Sequence, residues 1–320
     1  MGRYSLNATR REDLAKPMAD GAQPTSVAPR LELDFASDLL SLTKSWLIRF
    51  GYAIGPEQEG LQILYRYLDI MHRLVPAFPR QIHRPRGFKV PDRHKSGFDC
   101  LIHKVTKGKD LTPHLSKRTK ISAKYDGLLD DWDIMHFHVG ARRDPDGSVA
   151  RTNDVLFARV TNTEFFICGF WPHKQWGLRD ILEVIHQNWP ASIAQWKSPM
   201  PMRGDVPSND AIIESRATGM QPLVPLSDGT VYFSIGGGIT TAGVGTGIVE
   251  RADRWISWVR QLEESVRNEY SKRWKEWTSQ CATVPERVRF VFDFEEPYVV
   301  AREHSMRIQI RIGQIPPWAT

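Results

Sequence analysis

YDGLLDDWDIMHFHVG (residues 125–140), continued by RTNDVLFARV (151–160), TEFFICGFWPH (163–173) and GLRDILEVIHQNWP (177–190), is the stretch from which the fold is read. Over 134–139 the side chains alternate with a period of two. Ile134, His136 and His138 fall on one face of a strand, and Met135, Phe137 and Val139 on the other. Residues 155–160 form a second, mostly apolar strand, Thr161-Asn162-Thr163 a turn, and residues 164–171 a third strand. Connections this short predict an antiparallel meander. Leu178, Ile181, Leu182, Ile185 and Trp189 then recur at helical spacing, so 177–189 lays an apolar stripe on the sheet and Pro190 ends it.

Outward from this block, the expected class is α+β: a small antiparallel sheet with covering helices, an N-terminal helical segment and an appended C-terminal α/β part. Residues 1–32, polar and rich in Pro, Gly and Ser, read as disordered. Residues 33–125 read as a helical pair (34–50 and 57–75) plus a basic segment with strand-like pieces at 99–105. Residues 126–190 hold the meander and the candidate site. Residues 191–225, rich in Pro, Ser, Met and Asn, read as a linker or insertion. Residues 226–320 bring a strand at 230–235, a glycine-rich loop, a long helix over 251–278 and final strands at 288–294 and 306–312. The aromatics of that helix (Trp255, Trp258, Tyr270, Trp274) step by three and four with Leu262 and Val266, which is a core pattern rather than a base-stacking platform.

A 320-residue chain that is 41% apolar and 25% charged has enough apolar surface for one large core or two ordinary ones. Its apolar runs are strand-length, far short of the roughly 20 residues a spanning helix needs, so no membrane role is expected. Cys100, Cys168 and Cys281 are odd in number and share no metal or redox spacing, which argues against a disulfide framework and makes the cytoplasm the expected location. The net charge of +6 is uneven: thirteen Lys and Arg against three Asp between Arg80 and Lys124 give +10 there, which leaves about −4 elsewhere. Arg84, Arg86, Lys89, Lys117, Arg118 and Lys120 are therefore candidate nucleic-acid ligands.

Glycines at 236–238, 243, 245 and 247 sit between a strand and a helix, where backbone N–H groups favour anions. The segment completes neither a Walker A nor a dinucleotide motif and reads as a surface loop. Among the carboxylates before the histidine strand, Asp126 reads as an N-cap and Asp130 and Asp131 as an exposed helix end, while Asp133 is a candidate histidine orienter or metal neighbour.

The order of elements over 126–176 resembles the RelE/YoeB-type toxin endoribonucleases: Trp132 with His136 and His138, then VLFARVTNTEFFI, then His173 with Trp176. The family's arginine before the second strand falls here at about Asp154, and Arg142, Arg143 and Arg151 are the candidates to supply that guanidinium. The resemblance implies a metal-independent endoribonuclease acting on RNA, with an antitoxin-like inhibitory protein as partner. His136, His138 and His173 would carry the acid/base chemistry, since imidazole titrates near neutrality. The residues themselves leave two alternatives. His-x-His on one strand face with a third His on another strand end also suits a three-histidine Zn²⁺ site of a metal-dependent hydrolase. A non-catalytic nucleic-acid-binding protein, with the basic segment as its whole function, is the other.

Overall fold

The computed structural model describes residues 27–55, 58–117, 126–173, 179–200, 207–218, 220, 223–279, 281 and 283–316. In chain order, its first elements are β1 (Arg30–Glu32), α1 (Phe35–Arg49), α2 (Leu61–Arg73), β2 (Gln81–His83), α3 (Lys95–Thr106) and α4 (Gly127–Trp132). β3 (Ile134–Phe137), β4 (Asp154–Val160), β5 (Glu164–Pro172), α5 (Arg179–Asn188) and α6 (Asn209–Ala217) follow. The rest are β6 (Val224–Pro225), β7 (Val231–Tyr232), α7 (Thr246–Thr278), β8 (Arg287–Arg289), β9 (Val291–Glu295), β10 (Tyr298–Glu303) and β11 (Ile308–Gln314). The class is α+β, and the chain divides into two compact units, residues 65–250 and residues 1–64 with 251–320. Among the described residues no helix is long and apolar enough to cross a membrane.

In the 65–250 unit the sheet order is β2-β5-β4-β3. β3, β4 and β5 form an antiparallel meander in which Ile134 faces Arg159 and His136 faces Phe157. β2 pairs parallel to β5, with Ile82 opposite Phe165, so the sheet is mixed rather than purely antiparallel. Both faces are covered. Phe137, Leu156, Ala158, Phe165 and Ile167 pack with Phe98, Leu101 and Val105 of α3 on one side. Ile134, Val155 and Phe157 pack with Ile181, Leu182 and Ile185 of α5 on the other. Phe137, Phe157 and Phe165 are fully buried, each worth roughly 2–3 kcal/mol of apolar transfer.

Several expectations are corrected here. The segment 99–105, expected as strand, lies in α3, because Phe98, Leu101, Ile102 and Val105 recur at three and four rather than two. The segment 191–225, expected as a linker, contributes Ile193, Ile212 and Val224 to the core under α5 and carries α6. Arg30–Glu32, expected to be disordered, pairs parallel with β8; residues 1–26 of that stretch lie outside the described residues. The strand expected at 230–235 is only Val231–Tyr232, paired with β6. Its Tyr232 hydroxyl is 2.9 Å from His186 Nδ1, and Asp228 Oδ2 is 3.1 Å from His186 Nε2, so the hairpin is tied to α5.

The glycine-rich segment packs on α4. Gly236 N–H donates to Asp131 O (2.9 Å) and Gly238 N–H to Asp130 O (2.8 Å). A Cβ on Gly236 would lie 2.3 Å from Leu129 O, so only glycine permits this approach. The N–H groups of residues 236, 237, 238, 240, 243 and 246 are all used within the unit, which leaves no phosphate cradle among them. This contact also buries Asp130 and Asp131, which were expected to be exposed.

In the other unit, α1 packs on the sheet β9-β10-β11, and α7 turns Trp255, Leu262, Val266 and Tyr270 into the core, as its spacing implies, together with Val259, while Trp258 and Trp274 of the same pattern are only partly buried. Buried Asp38 of α1 accepts from Phe292 N–H (2.9 Å) and Arg289 Nη2 (3.0 Å), which satisfies the carboxylate inside the fold.

Candidate metal centre

β3 and β5 both run antiparallel to β4, so their C-terminal ends meet at the same end of the sheet. Alternation then sets His136 and His138 on the α5 face of β3, and the same rule carries from Gly169 and Trp171 on β5 to His173 just past its end. Two backbone bonds fix the strand ends. His138 N–H donates to His114 O (2.7 Å), and His173 N–H donates to Asn153 O (2.8 Å).

The three imidazoles form a near-equilateral group, with ring centroids 5.3 Å (His136–His173), 5.6 Å (His138–His173) and 5.9 Å (His136–His138) apart. One ring nitrogen from each lies within 4.8 Å of the other two. A tetrahedral Zn²⁺ with Zn–N bonds of about 2.0–2.1 Å requires nitrogens about 3.3 Å apart, so binding would draw each pair together by at most about 1.5 Å. His138 Nδ1 is buried with no hydrogen-bond partner among the described residues, a polar atom left for a ligand. The donor set and its shape therefore fit a divalent transition metal.

Burial favours the neutral form of His136 and His138. It pulls His136 down to about 4, with Asp126 opposing and His173 and Arg151 adding to the fall. His138 is held at about 3 by burial first and by Arg151 next. Neutral imidazole is the form that ligates metal.

Outer groups hold the site. His114, which no local pattern in the sequence marks, has Nδ1 2.8 Å from His138 O and is itself pushed down to about 4 by burial. The Arg151 side chain bonds to His138 Nε2. Arg142 and Arg143 are exposed on the hairpin between β3 and β4, where Ala150 N–H bonds Arg142 O (2.9 Å) and Arg143 pairs with Val149. Asp133 caps α4 at φ 57° and is 3.0 Å from Arg159 Nε, so its carboxylate anchors the start of β3. Asp126 is the N-cap of α4, accepting from Leu128 and Leu129 N–H.

The described part of the basic segment is spread over several elements. Lys117, a candidate phosphate ligand, is paired with Asp144 (3.0 Å) and Asp146 (2.8 Å). Arg84, Arg86 and Lys89 are exposed in the segment after β2, and Arg84 lies over the Phe98 ring on the α3 side. Arg80 is buried, donating to Thr161 O, Pro76 O and Phe78 O. Arg118, Lys120 and Trp176 lie outside the described residues.

No family model, curated protein or solved structure matches the chain.

Asp130, buried on α4, provides a pH prediction. Burial raises its carboxyl to about 7, opposed by the Asp126 N–H bond and helped by the Asp126 charge. The folded chain thus holds a proton that the unfolded chain releases near 3.8, so this group's stabilisation is full below about pH 4 and is lost as pH rises through about 7. In Asp130→Asn, thermal melts from about pH 4 to about pH 8 are expected to show a flatter stability profile and a higher Tm at the alkaline end. A profile parallel to wild type would contradict this.

Proposed function

We propose that the chain is a metal-dependent hydrolase built on a three-histidine Zn²⁺ centre at His136, His138 and His173. The observation that carries this reading is the convergence of three ring nitrogens within 4.8 Å from two strand ends. A Zn²⁺ held by three imidazoles keeps a position for water and makes that water acidic near neutrality. The chain's own residues do the rest. β3 and β5 fix two ligand positions, His114 holds the His138 backbone, and α5 with its neighbours closes the apolar side of the sheet.

Metal-independent ribonuclease chemistry, implied by the resemblance, needs one imidazole that carries a proton to give to a leaving oxygen. His136 and His138, both buried and both exposed to the Arg151 charge, are pushed toward the proton-free form, which supports the metal reading over that one. RNA and an inhibitory partner protein remain proposals that follow from the resemblance.

The test is to incubate the purified full chain with labelled cellular RNA and with aryl phosphate and carboxylate esters, with EDTA or with added Zn²⁺. Hydrolysis stopped by EDTA and restored by Zn²⁺ is expected. EDTA-resistant RNA cleavage that leaves 2′,3′-cyclic phosphate ends, and is lost in His136→Ala/His138→Ala, would replace it with the metal-independent reading.

A further inference from the structure

A metal ion at this centre would compete with Arg151 for His138. The guanidinium carries only N–H donors, so its bond to His138 Nε2 requires the lone pair there and the ring proton on Nδ1. Nδ1 is buried without a partner for that proton among the described residues, so the arrangement leaves one donor unsatisfied. A metal at Nε2 takes the lone pair and displaces Arg151. A metal at Nδ1 would require the remaining ring proton on Nε2, opposite a guanidinium donor, and would displace Arg151 equally.

Resting on the metal reading above, we infer that metal loading releases Arg151 from His138 to bind a phosphate group at the metal's open side. Arg142 and Arg143 accompany it on the same hairpin. Neither is paired with a carboxylate among the described residues, and the Arg143 charge already bears on His114 behind His138. Arg151 is the guanidinium in contact with the triad, and the planar fork of arginine matches phosphate oxygens. Metal and phosphate are therefore linked ligands, each raising the affinity for the other.

The experiment measures Co²⁺ binding to the full chain by its visible spectrum, with and without inorganic phosphate, in wild type, Arg151→Met and Arg151→Lys. In wild type, phosphate is expected to tighten Co²⁺ binding about 10-fold. Arg151→Met is expected to bind Co²⁺ more tightly than wild type without phosphate and to lose the phosphate effect, while Arg151→Lys restores part of it. Equal Co²⁺ affinity in wild type and Arg151→Met, or phosphate coupling that survives in Arg151→Met, would overturn the inference while leaving the metal site standing. Absence of Co²⁺ binding in all three proteins would remove the metal site, and the inference with it. A short single-stranded RNA oligomer in place of phosphate identifies the source. Arg151-dependent tightening by RNA assigns the phosphate to a polynucleotide backbone, and tightening by inorganic phosphate alone assigns it to a small phosphate ester.

Discussion

His173→Ala is expected to lower Zn²⁺ affinity by more than about 100-fold while the apo protein melts at nearly the wild-type temperature. Partners one layer outside a metal typically change affinity by about 10–100-fold, and a direct ligand exceeds that. His173 follows the end of β5, is only partly buried, and is held there by its backbone N–H to Asn153, which alanine keeps. His136 differs, since its ring is buried against Phe157, and His136→Ala is expected to lose both metal and stability. Equilibrium dialysis with metal analysis, paired with thermal melts of the apo proteins, separates the two effects. Unchanged Zn²⁺ affinity in His173→Ala would contradict the assignment.

Gly97→Val is expected to destabilise the 65–250 unit by about 3 kcal/mol or more, a fall in Tm of roughly 10 °C. Gly97 lies on α3 where a Cβ would stand 1.8 Å from Val139 O and 2.9 Å from Gly140 O. Both neighbours are backbone atoms just past the end of β3, so the chain itself has to move there. Val139 adjoins His138, and the same substitution is therefore expected to weaken metal binding in whatever fraction remains folded. A variant with wild-type Tm and affinity would show that α3 does not set the position of the histidine strand.

The meander was legible because its signal is local. Alternation at Ile134, His136 and His138 and the apolar runs on either side of Thr161–Thr163 need no distant partner to be read. The triad was legible for the same reason, once β3 and β5 were seen to end together. What escaped was set by long-range contact. β2 is three residues flanked by prolines and arginines, and only its pairing with β5 makes it a strand. Asp130 and Asp131 look like an exposed helix end until a glycine segment more than a hundred residues later lays its backbone on them. His114 serves the site through His138 O, a bond with no periodic signature. Lys117 carries the charge expected of a phosphate ligand, but carboxylates on the hairpin between β3 and β4 hold it.

X-ray absorption at the zinc edge of the Zn²⁺-loaded full chain examines the ligand set itself. Three imidazole nitrogens and a light-atom fourth neighbour at about 2.0–2.1 Å are the expected shell, with the imidazole signal reduced in His173→Ala. A shell containing sulfur, or one unchanged in that variant, would place the metal elsewhere and contradict the three-histidine centre.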